Sequence, residues 1–307
     1  MSIPHPRPWL AAVLSLFFSP LGFLYTGHPG LALLFFVLTL GCRVLAFFTS
    51  GGVTLAASLA EIALWIAGVV LAWWLVKSGR VREGRWYSRW YGIAGAALAV
   101  VIGVYASRLF FYEPFLAPSG AMLPTAGRGD RLLVRKLGYG SLSVNGIALG
   151  HLPASRPPAR GELVVFTDPV RRGEIDFKRV AGIGGDEVLV HGGRLWVNGR
   201  DVRIAELGPY DDAAAQGPSL RMRERLGDTV FDTLVQRQAA LPLEEPLRFP
   251  LRERCTVSRV EIRCTVPPGY LFVLGDHRDS SQDSRYYGFV RANQVLGKVV
   301  GIFPADP

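Results

Sequence analysis

Four apolar stretches crowd the first 110 residues, and they restrict what this chain can become more than anything that follows. They run about Trp9–Leu24, Leu31–Phe48, Val53–Val76 and Ile93–Tyr105, the last continuing toward Phe111. A helix needs roughly 20 apolar residues to cross a bilayer. The third stretch reaches that length even with Glu61 near one end, and the second does if Arg43 snorkels or finds a partner. Ser19-Pro20 and Gly22 interrupt the first, which reads as a span or as a re-entrant or interfacial hairpin. The fourth lengthens if Phe110 and Phe111 lie in the interface. A soluble helical bundle fits poorly, and so does a cleaved leader, because apolar segments keep recurring. The expectation is three or four spans, with four preferred.

Charge follows the same division. Arg7, Arg43, Lys77, Arg80, Arg82, Arg85, Arg89 and Arg108 precede residue 109, against Glu61 and Glu83 alone, so this part carries +6 of the net +9. A basic excess among apolar spans fits membrane topology better than a nucleic-acid footprint. No basic stripe interleaved with aromatics follows, and neither DNA nor RNA is expected as a partner. Positive loops stay cytoplasmic. The basic loop Lys77–Arg89 therefore belongs inside, the fourth span leads outward, and everything after about residue 110 lies outside the cytoplasm. Four spans would put the N-terminus outside, three inside.

Beyond residue 113 the pattern changes to short alternating and β-branched runs: Arg131–Val134, Glu162–Thr167, Ile175–Val180, Glu187–Val190, Arg194–Val197, Tyr270–Leu274 and Gln294–Phe303. Gly192-Gly193 between two of them predicts a tight hairpin turn. A longer helical period occurs only at Ser219–Gln238, within a stretch of about 200–255 that reads as an insertion. The expected architecture is N-terminal transmembrane α-helices (1–110) followed by an exported, mainly β domain (111–307) of antiparallel sheets, of sandwich or barrel type. Cys255 and Cys264 are spaced for a disulfide across a hairpin or bend in an oxidising compartment. Cys42 reads as an inert packing residue within a span. The histidines and cysteines show no paired ligand spacing, and no metal site is expected.

Lysine is rare: Lys77, Lys136, Lys178 and Lys298 stand against thirty arginines. A desolvated lysine can lose its proton at working pH, whereas arginine cannot. Lys178 sits in Phe177-Lys178-Arg179-Val180-Ala181-Gly182-Ile183-Gly184-Gly185-Asp186. Upstream lies Ala117-Pro118-Ser119-Gly120-Ala121-Met122-Leu123-Pro124-Thr125, followed by Gly129-Asp130. Downstream lies Gly275-Asp276-His277-Arg278-Asp279-Ser280-Ser281-Gln282-Asp283-Ser284-Arg285-Tyr286-Tyr287-Gly288-Phe289-Val290.

In this order, after apolar spans, the three segments closely resemble the signature boxes of bacterial type I signal peptidases, over about residues 105–303. The resemblance implies a membrane-bound Ser/Lys-dyad endopeptidase of the cytoplasmic membrane. Such an enzyme removes signal peptides from exported precursors after Ala-x-Ala-type sites and needs no cofactor. Residue by residue, it implies Lys178 as general base, Ser119 in the oxyanion hole with the backbone N–H at 121, and Ser281 orienting the lysine. It further implies an Asp283–Arg285 buttress that Arg179 joins, with Pro118, Gly120 and Met122 lining the substrate backbone. The nucleophilic serine falls at Ala121, which has no hydroxyl. Losing a nucleophile costs on the order of a million-fold in rate. A non-catalytic membrane protein that binds signal peptides or partner proteins is therefore the alternative.

Plain readings of the same residues exist. Alternation puts Lys178 on one strand face with Asp176 and Val180, where it could be a solvated lysine. Ser119 could simply form a turn beside Pro118. Only 13 residues separate Arg108 from Ala121, at most about 45 Å of extended chain. The site is thus expected near the outer bilayer face, with Phe110, Phe111, Tyr112 and Phe115 as interfacial anchors.

Overall fold

The computed structural model describes residues 6–82, 85–171, 174–211, 219–236, 249–258 and 260–305. It forms two compact units that part between Ala106 and Ser107.

In the first unit, the earliest apolar stretch is two short helices, α1 (Pro8–Phe17) and α2 (Ser19–Tyr25). Phe18 is extended (φ −161°, ψ 107°), and Pro20 occupies the first turn of α2, where a missing N–H and a fixed φ suit a helix start. The preference for four spans is corrected accordingly. Among the described residues, three helices are long and apolar enough to cross a membrane: α3 (Pro29–Phe48), α4 (Gly52–Lys77) and α5 (Trp90–Phe110). Helices α1 and α2 meet through small residues. A β-carbon at Gly22 would lie 1.8 Å from Ser15 Oγ and 2.8 Å from the Ala11 carbonyl, so only glycine permits this approach. Ala11, Phe23, Ala32, Phe35, Ala72 and Leu75 close the interior. Arg43 finds a partner, its Nε lying 2.5 Å from Glu61 Oε1, which offsets the cost of a charge on an apolar helix. Leu33, Val37, Leu55, Leu59, Ile66 and Val70 all point outward. A helix apolar on its outer side as well as its inner one suits lipid rather than water.

The second unit is mainly antiparallel β. Its early strands are β1 (Tyr112–Leu116), β2 (Arg131–Arg135), β3 (Ser141–Val144), β4 (Ile147–His151), β5 (Leu163–Thr167) and β6 (Ile175–Ile183). Then come β7 (Glu187–His191), β8 (Arg194–Val197), β9 (Arg200–Asp201), β10 (Arg203–Tyr210), β11 (Ser219–Leu226) and β12 (Thr229–Gln236). The last are β13 (Cys255–Val257), β14 (Glu261–Thr265), β15 (Tyr270–Leu274), β16 (Val290–Arg291) and β17 (Val295–Phe303). The largest sheet has seven strands in the order β1-β2-β17-β5-β6-β15-β16, and a five-stranded sheet runs β13-β14-β7-β8-β9. Every residue of β6 from Asp176 to Gly182 is buried. Both faces of this strand are covered, so it carries Asp176, Lys178 and Arg179 into the interior.

Gly192 and Gly193 make the expected turn, with His191 opposite Arg194. Cys255 and Cys264 face each other across β13 and β14 and are joined by a disulfide. The helical reading of Ser219–Gln238 is overturned. The stretch is a hairpin, β11–β12, which turns at Gly227 (φ +58°) and joins β10 in a three-stranded meander. Mixed charge there reflects pairing across strands, since Arg221 and Arg223 both reach Asp232. The stretch is also no mere appendage, because Leu226 and Phe231 enter the same core as Val188, Leu195 and Phe272. Residues 212–218 and 237–248 of the expected insertion lie outside the described residues.

A buried polar knot ties β1, β2 and the β3–β4 hairpin together. Lys136 Nζ donates to Glu113 Oε2 at 2.9 Å, to Ser143 Oγ at 2.8 Å and to the Ser143 carbonyl. Glu113 also accepts the Asn145 N–H at 2.6 Å and Arg108 Nη2 at 3.2 Å. Burial pushes the Lys136 amine down, against the pull of Glu113. Glu113→Gln leaves that ammonium uncompensated. Chemical denaturation should register a loss of about 3–5 kcal/mol.

Candidate active site

Three chain segments converge in the second unit. The first is the loop between β1 and β2, closed on itself by Ala117 N–H to the Asp130 carbonyl (2.8 Å) and Gly129 N–H to the Ala117 carbonyl (2.9 Å). The second is β6. The third leaves β15 at Gly275, winds to Ser281 and enters the short helix α6 (Ser284–Tyr287), which Asp283 caps by accepting the Arg285 N–H.

Asp276 links all three. Its carboxylate takes Arg179 Nε at 2.8 Å and Nη2 at 2.5 Å, and the Thr125 hydroxyl at 2.5 Å. Arg179 is buried, bonds the Gly161 carbonyl and stacks 3.9 Å from the Phe231 ring. Arg179 was expected to join the Asp283–Arg285 pair, and it does not. Strand alternation turns it to the opposite face from Lys178, and Asp276 is what it meets there. Asp283 and Arg285 pair with each other at 2.8 and 2.9 Å, and Asp283 also accepts the Gly275 N–H at 3.0 Å.

The alanine at 121 sits where the first and third segments touch. Its side chain is almost wholly buried, and its carbonyl accepts the His277 N–H at 3.1 Å. A β-carbon at Gly275 would fall 2.2 Å from Ser281 Oγ and 2.7 Å from the Ala121 carbonyl oxygen. Ser281 and Ala121 are thus both packed against the bare Cα of Gly275. Ser281 Oγ is buried and has no hydrogen-bond partner among the described residues. The Ala121 N–H points at Ser119 Oγ, 3.4 Å away. These two groups lie together, with the hydroxyl receiving the N–H. Pro118 is exposed and Gly120 half-buried. Met122 is fully buried among Leu132, Val134 and Phe177, so its side chain serves the core and not a substrate.

Lys178 is buried, and its Nζ lies 2.6 and 2.7 Å from the two oxygens of Asp176 and 3.3 Å from the Phe177 carbonyl. Ser281 makes no hydrogen bond to it. The solvated-lysine reading fails, because the amine is buried and paired with Asp176. Sequence reasoning missed Asp176 as a counter-ion, although alternation had placed the two side chains on one face. It also missed the wall behind the third segment. Leu234 N–H bonds the Asp276 carbonyl at 2.8 Å, Gln236 N–H bonds Asp279 Oδ2 at 2.6 Å, and Glu224 pairs with the buried Arg278.

Two outcomes follow from this packing. Gly275→Ala must displace Ser281 and the 121 carbonyl, and should cost about 1–3 kcal/mol in denaturation. It should also lower the hydrogen-exchange protection of the His277 amide. Burial pushes the Asp283 carboxyl up, but Arg285, the Gly275 N–H and the nearby Lys178 charge more than offset this and leave it below its ordinary value. A carboxyl depressed on folding stabilises fully above its unfolded pKa, about 3.9, and its contribution is lost as pH falls through the lower folded value. Stability measured from pH 6 toward acid should therefore fall. The decline should be shallower in Asp283→Asn, which starts from a lower stability because Arg285 is left unpaired.

Known proteins are similar to this chain. The family described as signal peptidase, peptidase S26, matches residues 89–303. Signal peptidase I of Pseudomonas aeruginosa is 31% identical over 223 residues, covering 68% of this chain and 70% of that protein. Signal peptidase I of Bacillus caldolyticus is 31% identical over 192 residues, covering 62% and 79%. A solved signal peptidase I of Enterococcus faecalis V583 aligns with a TM-score of 0.27 at 24% identity, over 47% of this chain and 98% of that one. The chain belongs to the signal peptidase family of serine endopeptidases, peptidase S26.

Proposed function

We propose that this chain is built as a membrane-anchored endopeptidase for the signal peptides of exported precursors, with Lys178 as its base and Ala121 at the nucleophile position. The observation that carries this reading is the convergence at residue 121. The His277 N–H fixes the 121 carbonyl, the 121 N–H lies beside Ser119, and Ser281 packs next to it. A hydroxyl on the 121 β-carbon would lie beside an oxyanion donor set. An amine freed of its proton at 178 would accept the hydroxyl proton and later return it to the leaving amine. Three apolar helices before the β unit support anchoring in the cytoplasmic membrane in several passes. The basic loop Lys77–Arg89 supports a β unit on the outer side. Cleavage after small residues of Ala-x-Ala type belongs to the same reading.

As it stands the chain has no hydroxyl at 121. This favours a second reading, a non-catalytic protein that holds signal peptides or partner proteins. One assay separates the two. The purified chain and Ala121→Ser are incubated in detergent with a precursor bearing an Ala-x-Ala site. The expected result is cleavage by Ala121→Ser alone, roughly a million-fold faster than by the chain itself, and its abolition by adding Lys178→Met. Cleavage by neither protein, with the precursor still retained, would support the binder.

A further inference from the structure

We propose that Asp176 is a positioning residue for Lys178, holding it as an ammonium on its own strand so that the base must be released from this carboxylate before it can act. The proposal rests on the reading of Lys178 as the base of the site. An ammonium has three donors and no acceptor. All three are taken within β6: two by Asp176 at 2.6 and 2.7 Å and one by the Phe177 carbonyl at 3.3 Å. Both side chains are buried, where a charge pair is attracted far more strongly than in water. The i, i+2 spacing places them side by side on one strand face without help from the rest of the fold.

The surroundings offer no better partner. On β5, the residues opposite Lys178 and Asp176 are Val164 and Phe166. Arg179, next on β6, is committed to Asp276. From the third segment Asp283 feels the lysine charge, but Arg285 already engages both of its oxygens. From α6, Tyr287 carries a buried hydroxyl influenced by Asp283, Asp176, Asp168 and Arg171, and its burial holds it as the neutral phenol. Asp176 is thus the carboxylate that Lys178 engages.

The scarcity of lysine makes this testable on the intact chain. With lysine labelled at 13Cε, only Lys77, Lys136, Lys178 and Lys298 give signals, and Lys178→Arg assigns the relevant one. In the chain as it is, the Lys178 signal should be that of an ammonium at pH 7. Asp176→Asn removes the counter-charge and keeps the burial, so the midpoint should drop. Asp176→Glu should retain a high midpoint. Lys136, held by Glu113, should titrate alike in all of them, which shows that the fold is kept. An unchanged Lys178 midpoint in Asp176→Asn, or a Lys178 already neutral at pH 7 with Asp176 in place, would overturn the proposal. In the Ala121→Ser background the acid limb of the cleavage profile should move down with the midpoint. A shifted midpoint in a protein that never cleaves would count against the endopeptidase reading and leave the role of Asp176 standing.

Discussion

The carboxylate of Asp276 is the constraint on which the site depends. Arg179 is buried and cannot shed its charge, so it is tolerable only with a partner of matching geometry. Asp276 provides one through both oxygens, while Thr125 donates to the same group. A guanidinium fork has little angular freedom. Satisfying it fixes the β6 strand, the loop before β2 and the start of the third segment relative to one another. With Arg179 locked on one face of β6, alternation sends Lys178 to the other. The distance between residues 121 and 281 is then a matter of how closely their backbones approach, and bare Gly275 allows them to pack together.

Two buried lysines are satisfied in different ways. Lys136 has a serine and a carboxylate within reach, as a Ser/Lys site would, but its three donors, Glu113 and Ser143 all find partners. Lys178 is satisfied as fully, but within its own strand, by Asp176 and the Phe177 carbonyl. Ser281 Oγ, in the third segment, is buried without a partner among the described residues, although buried polar groups are nearly always satisfied.

Much of this was legible in the sequence, and the limits have physical causes. The β pattern, the Gly192-Gly193 turn and the cysteine bridge are local, since alternation and turn chemistry act over a few residues. The three segments stood out because, in this order after apolar spans, they resemble the boxes of a known family. The partner of Arg179 did not, because alternation says which side chains share a face but never what covers it. Asp176 was visible on the face of Lys178, yet its closeness there became meaningful only once burial was known. Ser219–Gln238 read as a helical period within an insertion, whereas Arg221 and Arg223 meet Asp232 on the neighbouring strand. Pro20 and Gly22 did announce the break in the first apolar stretch. Total apolarity was the misleading signal there, because an uninterrupted helix and not a count of apolar residues is what crosses a bilayer.

The strand order of the large sheet bears on timing. Strand β17, the last in the chain, lies between β2 and β5. A ribosome or a translocation channel delivers residues from first to last, so the two early strands wait with a gap between them until Val295–Phe303 emerges. Contacts that span so much sequence form late, since loop closure is opposed by entropy before it is rewarded. The third polar segment, at residues 275–290, arrives just before that final strand. A centre assembled in this order stays open until nearly the whole β unit has been made, because the strand that closes the sheet is also the one that follows the third segment.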